Sequence, residues 1–337
     1  MTELLDSYSK LPLPSTPRVL FMGTPEFAVP TLRRLASCTR VVAVVSQPDR
    51  PKGRGKRLQR TPVAQCADEL DLPVFQWPKL NQESYDALSA LNFDLAVVIA
   101  YGKILPKRYL CLPQWGCVNL HASVLPKLRG AAPIQWALIK GMSETGVSVM
   151  RLDEGMDTGP VALIKKLNID QEETAQSLTT RLANLSADAL EEALSLWKKG
   201  ELNFEPQVEH EVSHARMLTK GDGIVDFNSS ATKIKWKNQG LSLWPGSYIP
   251  LDHGSLKLLK LSVLDQNIEL KARQSFTETL QRSPQPGELL TYSEEGPVIC
   301  CKEGAVTIHQ IQIPNRKPMS GSQYLQSRQI KLGETLI

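Results

Sequence analysis

Five short apolar runs punctuate the first half of the chain: RVLFMG (18–23), RVVAVVS (40–46), DLAVVIAYG (94–102), CVNLH (117–121) and VSVMRL (147–152). They are too continuous for strands with one wet face, and polar or amphipathic stretches separate them. Helices are predicted over 24–35, with Thr24 as N-cap and Pro25 at the first helical position, and over 62–70. A third helix is predicted over 175–199, where Leu178, Leu182, Leu185, Leu194 and Trp197 recur near the 3.6-residue period. This alternation predicts an α/β domain: a Rossmann-like, mostly parallel sheet with helices on both faces.

The pattern changes after about residue 200. Residues 201–213 are polar and read as a linker. Beyond them come GIVDF (223–227), SLKLLKLSVL (255–264), GELLTY (287–292), PVICC (297–301) and AVTIHQIQI (305–313), with one helix near 231–239. Five short strands between Gly, Pro and charged turns predict a small β-barrel, with an OB-like barrel the leading form. The expected organisation is a first domain over 18–200, a linker over 201–213 and a barrel domain over 214–337. Residues 1–17 contain Pro12, Pro14 and Pro17 without an apolar stretch, and are expected to be a disordered tail rather than a targeting segment.

Composition narrows the class. The 337 residues are 42% hydrophobic, enough for two cores, and no apolar run approaches the roughly 18 residues that cross a bilayer. Cys38, Cys66, Cys111, Cys117, Cys300 and Cys301 fit neither a CxxC metal site nor a small disulfide framework, so reduced thiols in a cytoplasmic protein are expected. The net charge is +4, and the excess lies from Val212 onward, where 15 Lys+Arg face 11 Asp+Glu. Within the otherwise neutral first domain, QPDRPKGRGKRLQR (47–60) sets Arg50, Lys52, Arg54, Lys56, Arg57 and Arg60 against Asp49 alone. Its glycines and prolines argue against helix or strand. A cationic loop at the exit of a buried strand points to an anionic partner such as nucleic acid, the plainer alternative being a solvated charge run.

Two motifs are decoys. HEVSH (210–214) matches the HExxH zinc pattern but lies in the polar linker without a helical apolar face behind it, so no metal is expected. FMGTPEF (21–27) lacks the GxGxxG of a dinucleotide site. Two others carry chemistry. In GCVNLHASVLPKLRGAAPIQWALIKG (116–141), Asn119 and His121 alternate with Val118 and Leu120, so both project to one face of a strand near its carboxyl end. An amide beside an imidazole can polarise a carbonyl and stabilise an oxyanion, although a strand-end His is also a common structural residue. In TGVSVMRLDEGMDTGPV (145–161), a strand runs into a loop holding Asp153 and Asp157 beside Gly155 and Gly159. Those carboxylates read either as turn caps or as a second half of the same site.

Taken jointly, NLHASVLPKLRGAAP and GVSVMRLDEGMDTGP resemble the formyltransferase family that uses 10-formyltetrahydrofolate. FMGTPEFAVPTL, QPDRPKGRGKRL, DLAVVIAYGKILP, RGAAPIQWALIKG, HARMLTKGDGIVDF, LWPGSY and KPMSGSQYL are similar to segments of its branch that acts on initiator tRNA, so the resemblance covers nearly the whole chain after the tail. Two departures stand out: SVLP where SLLP is commoner, and no arginine just ahead of the WPG segment. The resemblance implies a catalytic trio of Asn119, His121 and Asp157. It implies a folate site made by Ser123, Val124, Leu125, Pro126, Ala100, Leu105, Asp153 and Gly155, with 10-formyltetrahydrofolate as co-substrate and no metal. The implied acceptor is methionine carried by initiator tRNA, gripped by Arg50, Lys52, Arg54, Lys56, Arg57 and Arg60, with the OB-like barrel holding the tRNA body. A monomer is expected. Sugar-nucleotide formyl transfer, which has no need of a cationic loop, and hydrolysis of the formyl-folate, in which water replaces the amine, are the alternatives.

Overall fold

β1 (Arg18–Gly23) is buried along all but its first residue, as its unbroken apolar sequence requires. The computed structural model describes residues 11–52 and 57–336; the side chains of Lys52 and Arg57 lie outside that description. Two compact units divide the chain. The first takes in the chain up to Pro133, with Glu144–Asn168 and Leu178–Arg216; the second holds Ile134–Ser143, Ile169–Ser177 and the chain from Met217 on.

The first unit is built on a seven-stranded sheet. With β1 it contains β2 (Arg40–Val45), β5 (Val74–Phe75), β6 (Leu95–Ile99), β7 (Cys117–His121), β8 (Glu144–Arg151) and β9 (Val161–Asn168), in the order β5-β2-β1-β6-β7-β8-β9. The five strands from β5 to β7 pair in parallel, while β8 and β9 run antiparallel. β9 was not legible as a strand: its burial alternates, and the paired Lys165 and Lys166 mask the apolar half of the pattern. Leu20, Met22, Ala43, Val45, Ala96 and Val98 pack one face of the sheet, each fully buried Leu or Val contributing about 1.5–3 kcal/mol. The helix Ala175–Lys198 covers its predicted span and buries Leu178, Leu182, Leu194 and Trp197.

The chain builds outward from β1 through β2 to β5, then returns to β6 on the other side of β1. That reversal opens a crevice at the carboxyl ends of β1 and β6. Thr24 belongs to this crevice and not to a helix cap. A 3₁₀ turn at Glu26–Ala28 precedes the helix Val29–Cys38, so the predicted helix starts later than its Pro25 suggests. The Thr24 hydroxyl instead donates to the Tyr101 carbonyl (3.0 Å) and accepts from the Gln47 amide (3.3 Å), tying three strand ends together.

The cationic stretch is also more regular than its glycines and prolines predict. β3 (Arg50–Lys52) and β4 (Arg57–Gln59) pair antiparallel, with Arg50 opposite Gln59. Arg54 and Lys56 lie outside the described residues.

In the second unit, β10 (Ser247–Leu251), β11 (Gly254–Val263), β12 (Leu289–Ser293), β13 (Gly296–Cys300) and β14 (Ala305–Gln312) form an antiparallel sheet in the order β10-β11-β14-β13-β12, with β15 (Met319–Ser320) beside β14. This arrangement is compatible with an OB-like barrel. GIVDF is not one of its strands: Lys220–Gly223 is a 3₁₀ turn, and Ile224 makes an isolated bridge to Tyr248. The helix Gln266–Leu280 escaped sequence reading because it buries Phe276 without an apolar stripe; its signal was the Asp265 cap, which accepts from the amides of Asn267 and Ile268. Cys300 and Cys301 enter separate clusters, with Val298 and with Ile299 respectively, as adjacent residues facing opposite sides should. Among the described residues no helix is long and apolar enough to cross a membrane.

All six cysteines are free. Burial, which disfavours the thiolate, pushes Cys117 and Cys301 up to about 12. Between the ordinary thiol range and 12 the folded state retains protons that the unfolded chain has lost, so these two thiols weaken the fold as pH rises through that window. Native protein treated with iodoacetamide at pH 8.5 should be labelled at exposed Cys111 and spared at Cys117 and Cys301, with peptide mass spectrometry as the readout; denatured protein should label at all three.

Candidate active site

β7 positions the first two predicted groups. Register pairs Val98 on β6 with Asn119, and His121 is the last residue of β7. Asn119 is half-buried and its side-chain amide has no hydrogen-bond partner among the described residues, so its donors are available to a ligand. His121 is 5% exposed. Its Nε2 lies 2.9 Å from the Leu128 carbonyl oxygen. A carbonyl can only accept, so Nε2 carries a proton and Nδ1 is the nitrogen left for other work.

That Nδ1 lies 3.6 Å from Asp157 Oδ2. The approach requires a detour by the chain. Because β8 is antiparallel to β7, its last residue Arg151 pairs with Val118, while His121 pairs with Ser148. The two motifs therefore do not meet at adjacent strand ends. The loop after β8 has to turn back along the sheet to bring Asp157 to His121. Gly159 makes the return possible, since a Cβ there would sit 1.9 Å from the Arg151 carbonyl oxygen. Asp157 itself takes φ +57°, a left-handed conformation that non-glycine residues keep only where neighbours hold it.

Three groups outside the sequence-derived trio hold these residues. Leu128, at φ +61°, supplies the carbonyl to His121. The Gly130 amide donates to Asp157 Oδ2 at 2.8 Å. Gln207 Nε2 donates to the carbonyls of Asp157 (2.8 Å) and Gly159 (2.7 Å). Leu128 and Gly130 lie in the LPKLRGAAP segment already singled out, but Gln207 lies in the stretch read as a linker and has no sequence signal. That stretch packs along the site: the Leu128 amide donates to Ser213 Oγ at 3.0 Å, the Arg129 amide donates to the Ser213 carbonyl at 2.9 Å, and the Arg129 carbonyl accepts from the Ala215 amide just beyond at 2.8 Å. His210 of HEVSH is exposed, and no group of three or more His, Cys, Asp or Glu among the described residues could hold a metal ion.

The residues predicted to bind folate differ in how they are held. Ser123 is 1% exposed, and its hydroxyl donates to the Lys127 carbonyl (2.6 Å). Ser148 on β8 cross-links the same turn, donating to the Ser123 carbonyl (2.7 Å) and accepting from the Leu125 amide (3.0 Å). Val124 and Pro126 complete that turn, half-buried. Ala100 is exposed at φ +47° beyond β6. Leu105 packs into the core with Tyr101 and Tyr109, so its side chain is committed there. Asp153 is a loop cap: it accepts from the Gly155 amide (3.0 Å) and from the Thr158 hydroxyl (2.7 Å).

Beside the crevice at β1 and β6 lies a cavity of about 440 Å³ whose lining includes Thr24, Gln47, Arg50, Gln59, Arg60 and Ala100. Arg50 on β3 is exposed. Arg60 is already engaged by Asp68 through two hydrogen bonds, the stronger cause of its raised pKa, and also faces Asp49 at 4.0 Å. It anchors the hairpin and contributes less free charge than its sequence position suggests. Lys103 donates to the carbonyls of Trp77 and Pro78 (2.7 Å each); burial and then the charge of Arg50 lower its pKa.

Comparison with known proteins gives a consistent result. The Formyl transferase family matches residues 18–194, and the Formyl transferase C-terminal domain matches residues 217–329. The methionyl-tRNA formyltransferase of Geobacter sulfurreducens is 41% identical over 321 residues, covering 95% of this chain and 96% of that protein. Two solved structures share the fold at low identity. WlaRD, described as a sugar 3N-formyl transferase and crystallised with dTDP and 5-N-formyl-THF, aligns at TM-score 0.61 and 14% identity over 90% of this chain and 99% of its own. HypX from Aquifex aeolicus, in complex with tetrahydrofolic acid, aligns at TM-score 0.58 and 16% identity over 92% of this chain; the chain spans 47% of the HypX length.

The geometry around Gly130 generates a direct test. Gly130 takes φ +121°, and a Cβ there would stand 2.7 Å from the Ala215 carbonyl oxygen. Gly130→Ala should destabilise the protein by about 1–3 kcal/mol, read as a fall in midpoint by urea unfolding. An unchanged midpoint would show that the backbone at this position can relax.

Proposed function

This chain belongs to the formyl transferase family, and we propose that it transfers the formyl group of 10-formyltetrahydrofolate to the α-amine of methionine esterified to initiator tRNA. The observation that carries the reading is His121 Nδ1 at 3.6 Å from Asp157, on the strand that also presents the side-chain amide of Asn119, unpartnered among the described residues. In this reaction the amine attacks the formyl carbon, the bond from that carbon to N10 breaks, and the proton lost by the amine ends on N10. Negative charge develops on the formyl oxygen. Asn119 donates a hydrogen bond to it, and a pre-aligned donor in a water-poor site is where such stabilisation counts most. His121 can add a second donor only when Nδ1 also carries a proton, since its Nε2 proton is held by the Leu128 carbonyl. Asp157 orients the imidazole and takes part in moving the proton, directly or through a water.

The folate is read as lying against main-chain groups of residues 100–105 and 153–157 and the turn of Ser123, Val124, Leu125 and Pro126. The packing of Leu105 and the internal bonds of Asp153 favour backbone recognition there over side-chain recognition. Supporting the acceptor are the cationic hairpin beside the crevice and the name of the 41% identical relative. Arg50, with Lys52, Arg54, Lys56 and Arg57, would contact phosphates of the acceptor end, and Arg60 would hold the hairpin in place. The second domain, OB-like in this reading, would hold the tRNA body through salt-sensitive contacts.

Purified protein given 10-formyltetrahydrofolate and methionyl initiator tRNA should produce formylmethionyl-tRNA. His121→Ala and Asp157→Asn should each lower kcat by about 10²-fold or more at saturating substrates. Near-normal turnover by either variant would sink the assignment, and equally fast formate release without tRNA would identify water as the acceptor. Arg50→Ala and Arg54→Ala should raise KM for the tRNA, by the larger factor at low salt, and leave KM for the folate unchanged. Equal changes in both KM values would remove the hairpin from acceptor recognition.

A further inference from the structure

We infer that Gln207 and Arg129 form a clamp that positions Asp157 for the reaction, although neither needs to touch a substrate. This rests on the formyl-transfer reading of the same site. Arg129 is 5% exposed, and its Nε donates to Gln207 Oε1 at 2.9 Å. A guanidinium can only donate, so the atom it meets on Gln207 is the amide oxygen, and the amide nitrogen is turned the other way. Both hydrogens of that nitrogen are then used, one on the Asp157 carbonyl at 2.8 Å and one on the Gly159 carbonyl at 2.7 Å. Arg129 is itself fixed by Glu209, 2.9 Å from Nη2, and by its amide donating to the Ser213 carbonyl at 2.9 Å.

The clamp acts where the loop is least able to hold itself. Asp157 is in a left-handed conformation that is unfavourable for a non-glycine residue, and its carbonyl is the group that Gln207 holds. Residue 130, next to Arg129, donates its amide to the Asp157 carboxylate at 2.8 Å. Backbone and side chain of Asp157 are thus restrained from one short segment, with Gln207 bridging Arg129 to the loop. Relaxing the left-handed turn would swing the carboxylate away from His121 Nδ1, and a misplacement of about 1 Å at a reacting group can cost roughly 10²-fold in rate. Gln207 is therefore a positioning residue whose whole effect passes through Asp157.

The test is a double-mutant cycle with formylation of methionyl initiator tRNA as the readout. Gln207→Met keeps size and removes the hydrogen bonds; Gln207→Glu still accepts from Arg129 but cannot donate to the carbonyls. Each should lower kcat by about 10- to 100-fold in the wild-type background, and by less than about threefold in Asp157→Asn, because the group being positioned is already disabled. Equal fold-losses in both backgrounds would overturn the inference, since they would mean that Gln207 acts on the fold at large. Wild-type kcat in either variant would overturn it too. If Gln207→Met does not fold, by near-ultraviolet circular dichroism, Gln207→Glu carries the test. Failure of the wild-type protein to formylate the tRNA would count against the reaction itself, whereas active wild type with fully active Gln207 variants would remove the clamp alone.

Discussion

An imidazole has two nitrogens, and this fold commits one of them. The bond from His121 Nε2 to the Leu128 carbonyl decides where the proton sits, and so which nitrogen faces Asp157. Without that acceptor the ring could present either tautomer, and the 3.6 Å approach to the carboxylate would lack a defined chemical meaning. Much of the surrounding structure serves this one restraint: Leu128 adopts a left-handed backbone to aim its carbonyl, and its own amide is held by Ser213.

The carboxylate side is built on the same plan, from main-chain groups rather than from further charges. The Gly130 amide fixes Oδ2, and the Asp157 and Gly159 carbonyls are gathered by Gln207. Such a site depends on backbone close approach. At Gly159 the distance from a hypothetical Cβ to the Arg151 carbonyl, 1.9 Å, leaves no room for any other residue without moving the loop. Donors fixed in this way need no reorganisation when charge develops, which is the physical basis of electrostatic catalysis in a buried site.

The hairpin of β3 and β4 lies beside the crevice at the β1 and β6 ends, where open α/β sheets place their ligands. Its cations do not share one role. Arg60 is bound to Asp68 and stabilises the hairpin base, whereas Arg50 remains exposed. Net charge counted along the sequence therefore overstates what is available to a polyanion.

Local sequence determined a great deal here. Apolar runs on β1, β2, β6 and β7 specified a mostly parallel sheet, because a strand buried on both faces must be apolar at every position. The period of two placed Asn119 and His121 on one face of β7, and the helix Ala175–Lys198 announced itself through its leucines. Elements whose stability is set by neighbours were hidden: β9 with its two lysines, the helix Gln266–Leu280 with one buried side chain, and the hairpin among glycines and prolines. Three things were decided by tertiary structure alone: the antiparallel turn of β8, the return of its loop to His121, and the use of Leu128, Gly130 and Gln207 to hold the result. Each depends on residues far apart in sequence, 78 positions in the case of Arg129 and Gln207, and no local propensity encodes a hydrogen bond between segments that meet only after the sheet has formed.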